Sequence, residues 1–590
     1  MNDTTQISPA LSSPADLQAA TTKWLNRFES QLSAGNATGL AALFAPECHY
    51  RDILAFSWTL RPAAGAKEIT EFLTSVQAKV QAKNFAIAES RAAPRNVTRV
   101  GIPVIEAIFR FETAVGRGHG VLRLLASNPE QAWVLLTTLD ELKGYEEKIG
   151  LNRPSGDAYS RNFGGANWLD QRTRERAFED RDPVVIVVGA GQNGLAVAAR
   201  LKQQEIDTLV VDKYPRIGDN WRVRYHSLAL HNQIHVNHLP YMPFPPSWPK
   251  YIPKDMLGNW LEMYAEAMQL NCWSGTEFTK GSYDPATKRW TVTLKRADGS
   301  ERVMHPHHVI FSNGTSGIAR IPDLPGLKDF AGDVFHSHGF KNGAPWSGKK
   351  ALVLGTGNSG HDIAQDLYSN QVDTTIIQRG STTVVSIDPS AKLNYALYEE
   401  GPSLEDCDLI ATATTYPLLI RAYQAATKRM VGLDKDLIAA LKARGFRYDL
   451  GEDETGHQMK YRRRGGGYYL NAGCSDLIIE KEIGLMQFDD IEKFVPEGAL
   501  MKDGTVKKAD LLVLATGYHP QQEVVRRLMG DEIADRVGQV WGVGPNGELA
   551  NMWTRTPQPG LWFMGGSLAQ SRIYSHYVAL QIKALELGLI

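Results

Sequence analysis

Residues 183–194 read PVVIVVGAGQNG, and residues 350–360 read KALVLGTGNSG. Each is an apolar run that empties into Gly-x-Gly-x-x-Gly. The first copy is built on Gly189, Gly191 and Gly194, the second on Gly355, Gly357 and Gly360. In such a loop the first glycine permits the tight turn, the second lets a pyrophosphate approach the backbone, and the third lets helix pack closely on strand. The unpaired N–H groups at the helix start then take the negative charge. The flanking sequence supplies the remaining parts. After the first loop come a helix over 195–202, a strand Thr208–Val211 and then Asp212, at the spacing where an acid meets an adenosine ribose. Asp212 suits FAD or NAD and repels a 2′-phosphate. After the second loop come a helix over 359–368, a strand over 374–378 and then Arg379. A guanidinium there matches a 2′-phosphate in charge and fork geometry, with Ser381 beside it, so the second unit points to NADPH. Two facing dinucleotides are the layout of a flavin enzyme reduced by a nicotinamide.

Working outward, 590 residues exceed one ordinary core, and several domains are expected. Residues 18–150 read as a separate α+β unit. Trp24, Leu25, Phe28 and Leu32 repeat at helical spacing, as do Ile69, Phe72, Leu73, Val76 and Val80. Strands are expected over 104–113, 120–125 and 133–142, with Ile105, Ala107, Phe109 and Phe111 on one face and Glu106, Arg110 and Glu112 on the other. An Asp52 acid/base pair with His49 or His119 is conceivable on chemistry alone. Residues 151–182 form a linker broken by Pro154, Gly156, Gly164 and Gly165, charged and helical toward Asp182, that drapes over a neighbour.

The net charge of -1 directs the chain to neither nucleic acid nor an anionic membrane. Cys48, Cys272, Cys407 and Cys474 are scattered, with no metal-ligand spacing. With no basic, apolar leader over 1–17 and no bilayer-length apolar run, a cytoplasmic protein without a transmembrane segment is expected. A homodimer is left open.

Further motifs carry a resemblance. Gly218-Asp219-Asn220-Trp221-Arg222 comes after the ribose acid. Phe330-Ala331-Gly332-Asp333-Val334-Phe335-His336, continued by Phe340-Lys341, fits Phe-x-Gly-x-x-x-His-x-x-x-aromatic-basic. Ala515-Thr516-Gly517-Tyr518 and Gly565-Gly566 come later. On these residues the chain from Pro183 to Ile590 resembles the class B flavin-dependent monooxygenases, in particular the flavin-containing monooxygenases of the YUCCA type. The order of helices and strands over 18–150 resembles the nuclear-transport-factor-2-like (SnoaL-like) cone. The resemblance implies an α/β fold of two nested Rossmann-like domains preceded by that cone. The FAD domain would run over 183–345, the NADPH domain over 346–510 with an inserted helical segment at about 386–487, and the FAD domain would resume over 511–590.

The resemblance also implies oxygen transfer from O2 to a small organic substrate through a flavin C4a-(hydro)peroxide. N- or S-oxygenation or YUCCA-like oxidative decarboxylation is preferred, weakly, because Phe340 stands where many Baeyer–Villiger enzymes carry Trp. Baeyer–Villiger oxidation of a ketone is the alternative. Asn193, Lys213, Trp221, Arg222, Asn358, Ser359, Thr516, Gly517 and Gly566 join the glycines, Asp212 and Arg379 as cofactor-binding candidates. His231, Asn232 and His336 are the catalytic candidates. His231 either lines the flavin edge or merely packs, and His336 serves as a base or, preferably, as a hinge between domains. A disulfide-reductase-like oxidoreductase would carry a closely spaced cysteine pair near the flavin, and none occurs. A non-catalytic protein has no need of two intact glycine loops. The 386–487 segment reads equally as a wrap around the substrate channel and as a dimer surface, and the cone reads first as an auxiliary packing domain, with a share in a substrate pocket as the alternative.

Overall fold

The computed structural model describes residues 13–155, 159, 162–314 and 317–590. The chain start at 1–12 and Gly156 lie outside the described residues. The N-terminal unit is a seven-stranded sheet in the order Leu60–Ala64, Phe44–Ile53, Asn128–Leu142, Gly116–Leu125, Ile102–Glu112, Lys83–Ile87. Arg95–Arg99 also pairs with Ile102–Glu112. Helices Pro14–Ser33 and Ala66–Val80 place Trp24, Leu25, Phe28, Leu32, Ile69 and Leu73 against it, all buried. Trp24 and Phe28 stack at 5.0 Å, and Phe85 stacks on Phe111 at 5.2 Å, so flat rings fill the interior.

The opposite face of this sheet is solvated only toward one end, where Arg110 is exposed as expected and Glu112 is half-buried. Glu106, expected on a polar face, is 2% exposed and held by Arg95, Arg99 and Arg123. The physical reason is that the rest of the chain covers that face. Arg95 and Arg99 also pair with Glu400, and Arg91 pairs with Asp406. Arg51 grips Glu548 through two bonds of 2.7 and 2.6 Å. The Asp52–histidine pair is not formed. Asp52 accepts from the amides of Phe56 and Ser57 and from the hydroxyls of Ser57 and Thr137. His119 instead faces Asp140 at 2.5 Å, and His49 faces Glu47 and Thr415. Both partners that Asp52 needed are spent elsewhere in the sheet.

The segment after this unit forms a helix, Trp168–Ala177, capped reciprocally by Asn167 and Asp170. It lies along the edge strand Asn271–Trp273, where Arg172 bonds the carbonyl of Leu270 and the Trp273 indole donates to the carbonyl of Arg176.

Two parallel sheets form the body. The first runs Asn271–Trp273, Thr208–Val211, Val185–Val188, His308–Phe311, Leu561–Phe563. The second runs Asp333–His336, Leu511–Leu514, Lys350–Leu354, Asp373–Gln378, Gly484–Gln487. Their inner strands are buried on both faces, which is why Val185–Val188, His308–Phe311, Lys350–Leu354 and Leu511–Leu514 are mostly apolar, whereas the edge strands Asp333–His336 and Gly484–Gln487 are more open and less apolar. Strand membership shifts the expected boundaries. Asp333–His336 and Leu511–Leu514 belong to the second sheet, so the chain passes between sheets near 312–332 and again after Leu514, not at 345 and 511. An antiparallel meander, Thr276–Asp284, Arg289–Arg296 and Glu301–Met304, is inserted in the first.

Between the second sheet's last two strands lie the helices Leu404–Thr412, Tyr416–Leu433, Lys435–Ala443, Gly456–Arg464 and Cys474–Ile479. A two-strand pair, Thr383–Ser386 with Tyr468–Asn471, accompanies them. The last helix spans Leu568–Glu586, opened by a capping box between Ser567 and Gln570.

Candidate active site

The first glycine loop turns where the central strand Val185–Val188 meets the helix Gln192–Gln203. Gly189 has φ +105°, and a Cβ on it would meet the carbonyl oxygen of Ser312 at 2.9 Å. A Cβ on Gly194 would stand 1.9 Å from the carbonyl oxygen of Gly189. Gly191 is the helix N-cap and offers no side-chain bond, so the first amides of the helix have no side-chain cap.

Asp212 ends the neighbouring strand. It accepts from the amide of Ala190 at 2.7 Å and from that of Tyr214 at 2.9 Å, which ties the loop to the strand. Burial raises its pKa above the usual carboxylate value. Gly189, Gly191, Asn193, Asp212, Lys213, Trp221 and Gly566 line one cavity of about 460 Å³. Asn193 also clamps the first helix to the last, donating to the carbonyl of Gly566 and accepting from the Ser571 hydroxyl at 2.6 Å.

Arg222 is turned away from this cavity. Its guanidinium bonds Asp219, Asn259, Glu262 and the carbonyl of Ile217. Arg224, two residues on, lines the cavity instead, with Arg527 and Glu277. Neither arginine was among the sequence candidates, since nothing in the local pattern separates Arg224 from Arg222. The cavity wall also holds two buried polar atoms without partners, Asn220 Oδ1 and Ser312 Oγ. A loop with no room for side chains, uncapped amides, a strand-end carboxylate, two arginines and two unpaired polar atoms fit a dinucleotide such as FAD.

The second loop repeats the geometry. Gly355 has φ +120°, and its Cβ would meet the carbonyl oxygen of Ala515 at 2.4 Å. The Cβ of Gly360 would meet the carbonyl oxygen of Gly355 at 2.0 Å. Gly357 caps the helix Asn358–Ser369, again with no side-chain bond, and its nearest neighbour is 3.8 Å away. Asn358 accepts from the amide of Leu470 at 2.9 Å, and Ser359 is the next residue of the first turn. Arg379 follows the strand Asp373–Gln378 and is exposed, and among the described residues its side chain makes no hydrogen bond or ion pair. An open amide cradle with a free guanidinium at the strand end fits NADPH.

The two sheets are laced together at their crossovers. Ala319 and Tyr518 form a bridge, Thr516 donates to the carbonyl of Arg320 at 2.5 Å, and Gly517, at φ +80°, accepts from the amide of Arg320. His336 Nε2 bonds the carbonyl of Gly517 at 3.0 Å, while its Nδ1 accepts from the amide of His338 at 3.1 Å. Both ring nitrogens are therefore engaged by main chain, and burial lowers the pKa. His336 lines neither cavity, whereas His338 lines the first.

A second cavity, of about 620 Å³, adjoins the first, and Gln192, Trp221, Tyr461 and Gly566 line both. The Trp221 indole donates to Gln192 at 3.2 Å, fixing one side of this shared wall. His231 and Asn232 line the larger cavity. His231 is exposed at the cavity wall, and desolvation by the surrounding protein lowers its pKa to about 4. His457 lies nearby at about 3, for the same reason, and bonds Asn394. Both rings are neutral at pH 7. The walls come from the N-terminal unit (Arg99, Arg123, Trp133), the inserted helices and the start of the last helix.

A protein-family model described as flavin-binding monooxygenase-like matches residues 182–525. The chain belongs to this family and is an FAD- and NADPH-dependent monooxygenase. Among its relatives, indole-3-pyruvate monooxygenase YUCCA1 of Oryza sativa subsp. japonica is 28% identical over 354 residues, covering 59% of this chain and 80% of that protein. Probable indole-3-pyruvate monooxygenase YUCCA8 of Arabidopsis thaliana is 30% identical over 337 residues, covering 56% and 74%. A variant of cyclohexanone monooxygenase from Rhodococcus sp. Phi1, bound to NADP+, shares the fold with a TM-score of 0.50 at 18% identity, over 69% of this chain and 87% of that one. Among the described residues no helix is long and apolar enough to cross a membrane.

Proposed function

We propose that the first glycine loop with Asp212 holds FAD, that the second with Arg379 holds NADPH, and that a small organic substrate is oxygenated in the larger cavity. The supporting observation is the common wall of Gln192, Trp221, Tyr461 and Gly566, which puts the larger cavity directly against the smaller one. N- or S-oxygenation or oxidative decarboxylation of a 2-oxo acid is the preferred outcome, with Baeyer–Villiger oxidation of a ketone as the alternative. The indole-3-pyruvate monooxygenases among the relatives support testing aryl-pyruvates first. The N-terminal unit reads as a nuclear-transport-factor-2-like cone recruited as a wall of the substrate space.

Bound FAD supplies the hydride acceptor for NADPH and the site of O2 activation. The chain's own residues do the rest. Amides at the starts of the helices Gln192–Gln203 and Asn358–Ser369 take phosphate charge, Asp212 accepts ribose hydroxyls, and Arg379 forks onto a 2′-phosphate. The aromatic lining of the cavity keeps bulk water from the reacting edge. His231, uncharged at neutral pH, donates or accepts one hydrogen bond there without adding charge. His336 acts as a positioning residue that fixes the crossover.

The test is a screen of FAD-loaded protein with NADPH and isotopically labelled O2 across amines, sulfides, ketones and aryl-pyruvates. NADPH oxidation, peroxide release and product mass are followed together. The reading expects label in an amine, sulfide or aryl-pyruvate product. Turnover with ketones alone, giving esters, would replace it with the alternative, and a protein that holds no flavin would end both.

A further inference from the structure

The larger cavity has an uneven charge inventory. Arginine and lysine side chains line it, and among the described residues no aspartate or glutamate does. Most of these cations are already neutralised. Arg99 is matched by Glu106 and Glu400, Arg123 by Glu106, and Lys392 by Asp388. Arg462 is the exception. It sits on the helix Gly456–Arg464, where His457, Gln458, Tyr461 and Arg462 recur at one-turn spacing and all line the cavity.

The Nε of Arg462 donates to the Tyr423 hydroxyl at 3.1 Å, and among the described residues no carboxylate pairs with its guanidinium. The charged group acting on it is Arg51, itself closed by Glu548. An enclosed guanidinium without a counter-charge is costly in the empty protein and becomes favourable once an anion meets its fork. Across the same cavity, Trp133 of the N-terminal unit has a buried indole Nε1 with no hydrogen-bond partner. That is a second donor left open in a wall that also carries the rings of Tyr395, Tyr423 and Tyr574.

We infer that Arg462 is the specificity-determining residue for a carboxylate-bearing substrate whose flat, aromatic body fills the space between the N-terminal unit and the inserted helices. The inference rests on the larger cavity being the substrate site. Because Tyr461 belongs to the wall shared with the flavin cavity, an acid anchored at Arg462 lies beside the oxygenating edge. Paired acids and neutral analogues of one shape should therefore be told apart by charge.

Isothermal titration of the full-length, FAD-loaded protein with 2-naphthoate and with 2-naphthamide tests this without turnover. The acid is expected to bind about tenfold or more tightly than the amide, the scale of one charge-assisted contact. Arg462→Gln should abolish that preference by weakening the acid alone, and Arg462→Lys should keep part of it. Retained flavin and an unchanged melting temperature establish that each variant is folded. If Arg462→Gln does not fold, the wild-type comparison of acid with amide still decides. Equal affinity for the two ligands, no binding of the acid, or undiminished acid binding by a folded Arg462→Gln protein would overturn the inference. Bleaching of the wild-type flavin by NADPH, measured separately, reports on the proposed function. Its failure would remove the enzyme reading, whereas failure of the titration alone would remove only the assignment of Arg462.

Discussion

At the scale of single residues, the two glycine loops are near copies, and the residue after the second strand of each unit distinguishes them. Asp212 is half-buried, bonded to the amides of Ala190 and Tyr214 and proposed to accept ribose hydroxyls, whereas Arg379 is exposed and unpaired among the described residues. Replacing Arg379 with Ala should therefore raise the KM for NADPH about tenfold, the loss of one charge-assisted contact, and leave the KM for NADH nearly unchanged. Flavin bleaching followed in a stopped-flow instrument with each nicotinamide reads this directly, and an unaltered preference would detach Arg379 from cofactor choice.

Both residues are legible in the sequence because a fixed spacing from a glycine loop dictates their place. Arg222 is not, because a guanidinium at the end of a flexible stem goes to whichever carboxylates the tertiary fold brings near, here Asp219 and Glu262. The same holds for Arg462, which reads as part of a basic run, Arg462-Arg463-Arg464. Its neighbour Arg463 finds Asp453, while among the described residues Arg462 bonds a phenol and no carboxylate.

At the scale of elements, the apolar strands that lead into and follow the glycine loops are recovered almost to the residue, since a continuous apolar run beside such a loop leaves few other readings, whereas the equally buried His308–Phe311 is not read. The N-terminal strands Phe44–Ile53 and Arg95–Arg99 escape a sequence reading. Their polar side chains, such as Arg51 and Arg95, are satisfied by groups hundreds of residues away, so no local alternation marks them. The crossovers stand out in the sequence through His336 and the Ala-Thr-Gly-Tyr segment, but their work is done by main-chain bonds that no residue pattern spells out.

His336→Ala removes the bonds to Gly517 and to the amide of His338, the latter residue lining the smaller cavity, where FAD is proposed to sit. It is expected to lower the fraction of NADPH consumption that ends in product, with the remainder appearing as peroxide. Parallel assays of NADPH, peroxide and product check this, and unchanged yields would reduce His336 to packing.

At the scale of the whole molecule, several titratable groups are enclosed in one charge state. His231 and His361 are depressed to about 4 and His457 to about 3, while Asp52 and Asp362 are raised to about 6. Between their folded values and 6.5 the histidines bind protons only when the chain unfolds, so they destabilise it as pH falls through that window. The two carboxyls act oppositely, holding protons in the folded state between 3.8 and about 6, and so offset part of the effect. With three histidines against two acids, the melting temperature should fall on acidification from pH 6.5 toward 4. His361→Phe should flatten that fall, since the ring stacks at 3.9 Å on Tyr469 and an apolar ring fits there. Calorimetry across the pH range checks both, and a variant curve parallel to the wild type would remove His361 from the account.

The substrate space itself could be anticipated only as an expectation, because its walls are drawn from distant stretches of chain and exist only after they pack. One of those stretches, carrying Arg99, Arg123 and Trp133, precedes residue 182, whereas everything proposed to handle the two dinucleotides lies beyond it. The proposed substrate space thus takes one part of its wall from a stretch that has no share in handling the dinucleotides, and the rest, Arg462 included, from the later chain. Drift at those three positions can reshape one side of that space while Arg462 and the remaining wall stay as they are.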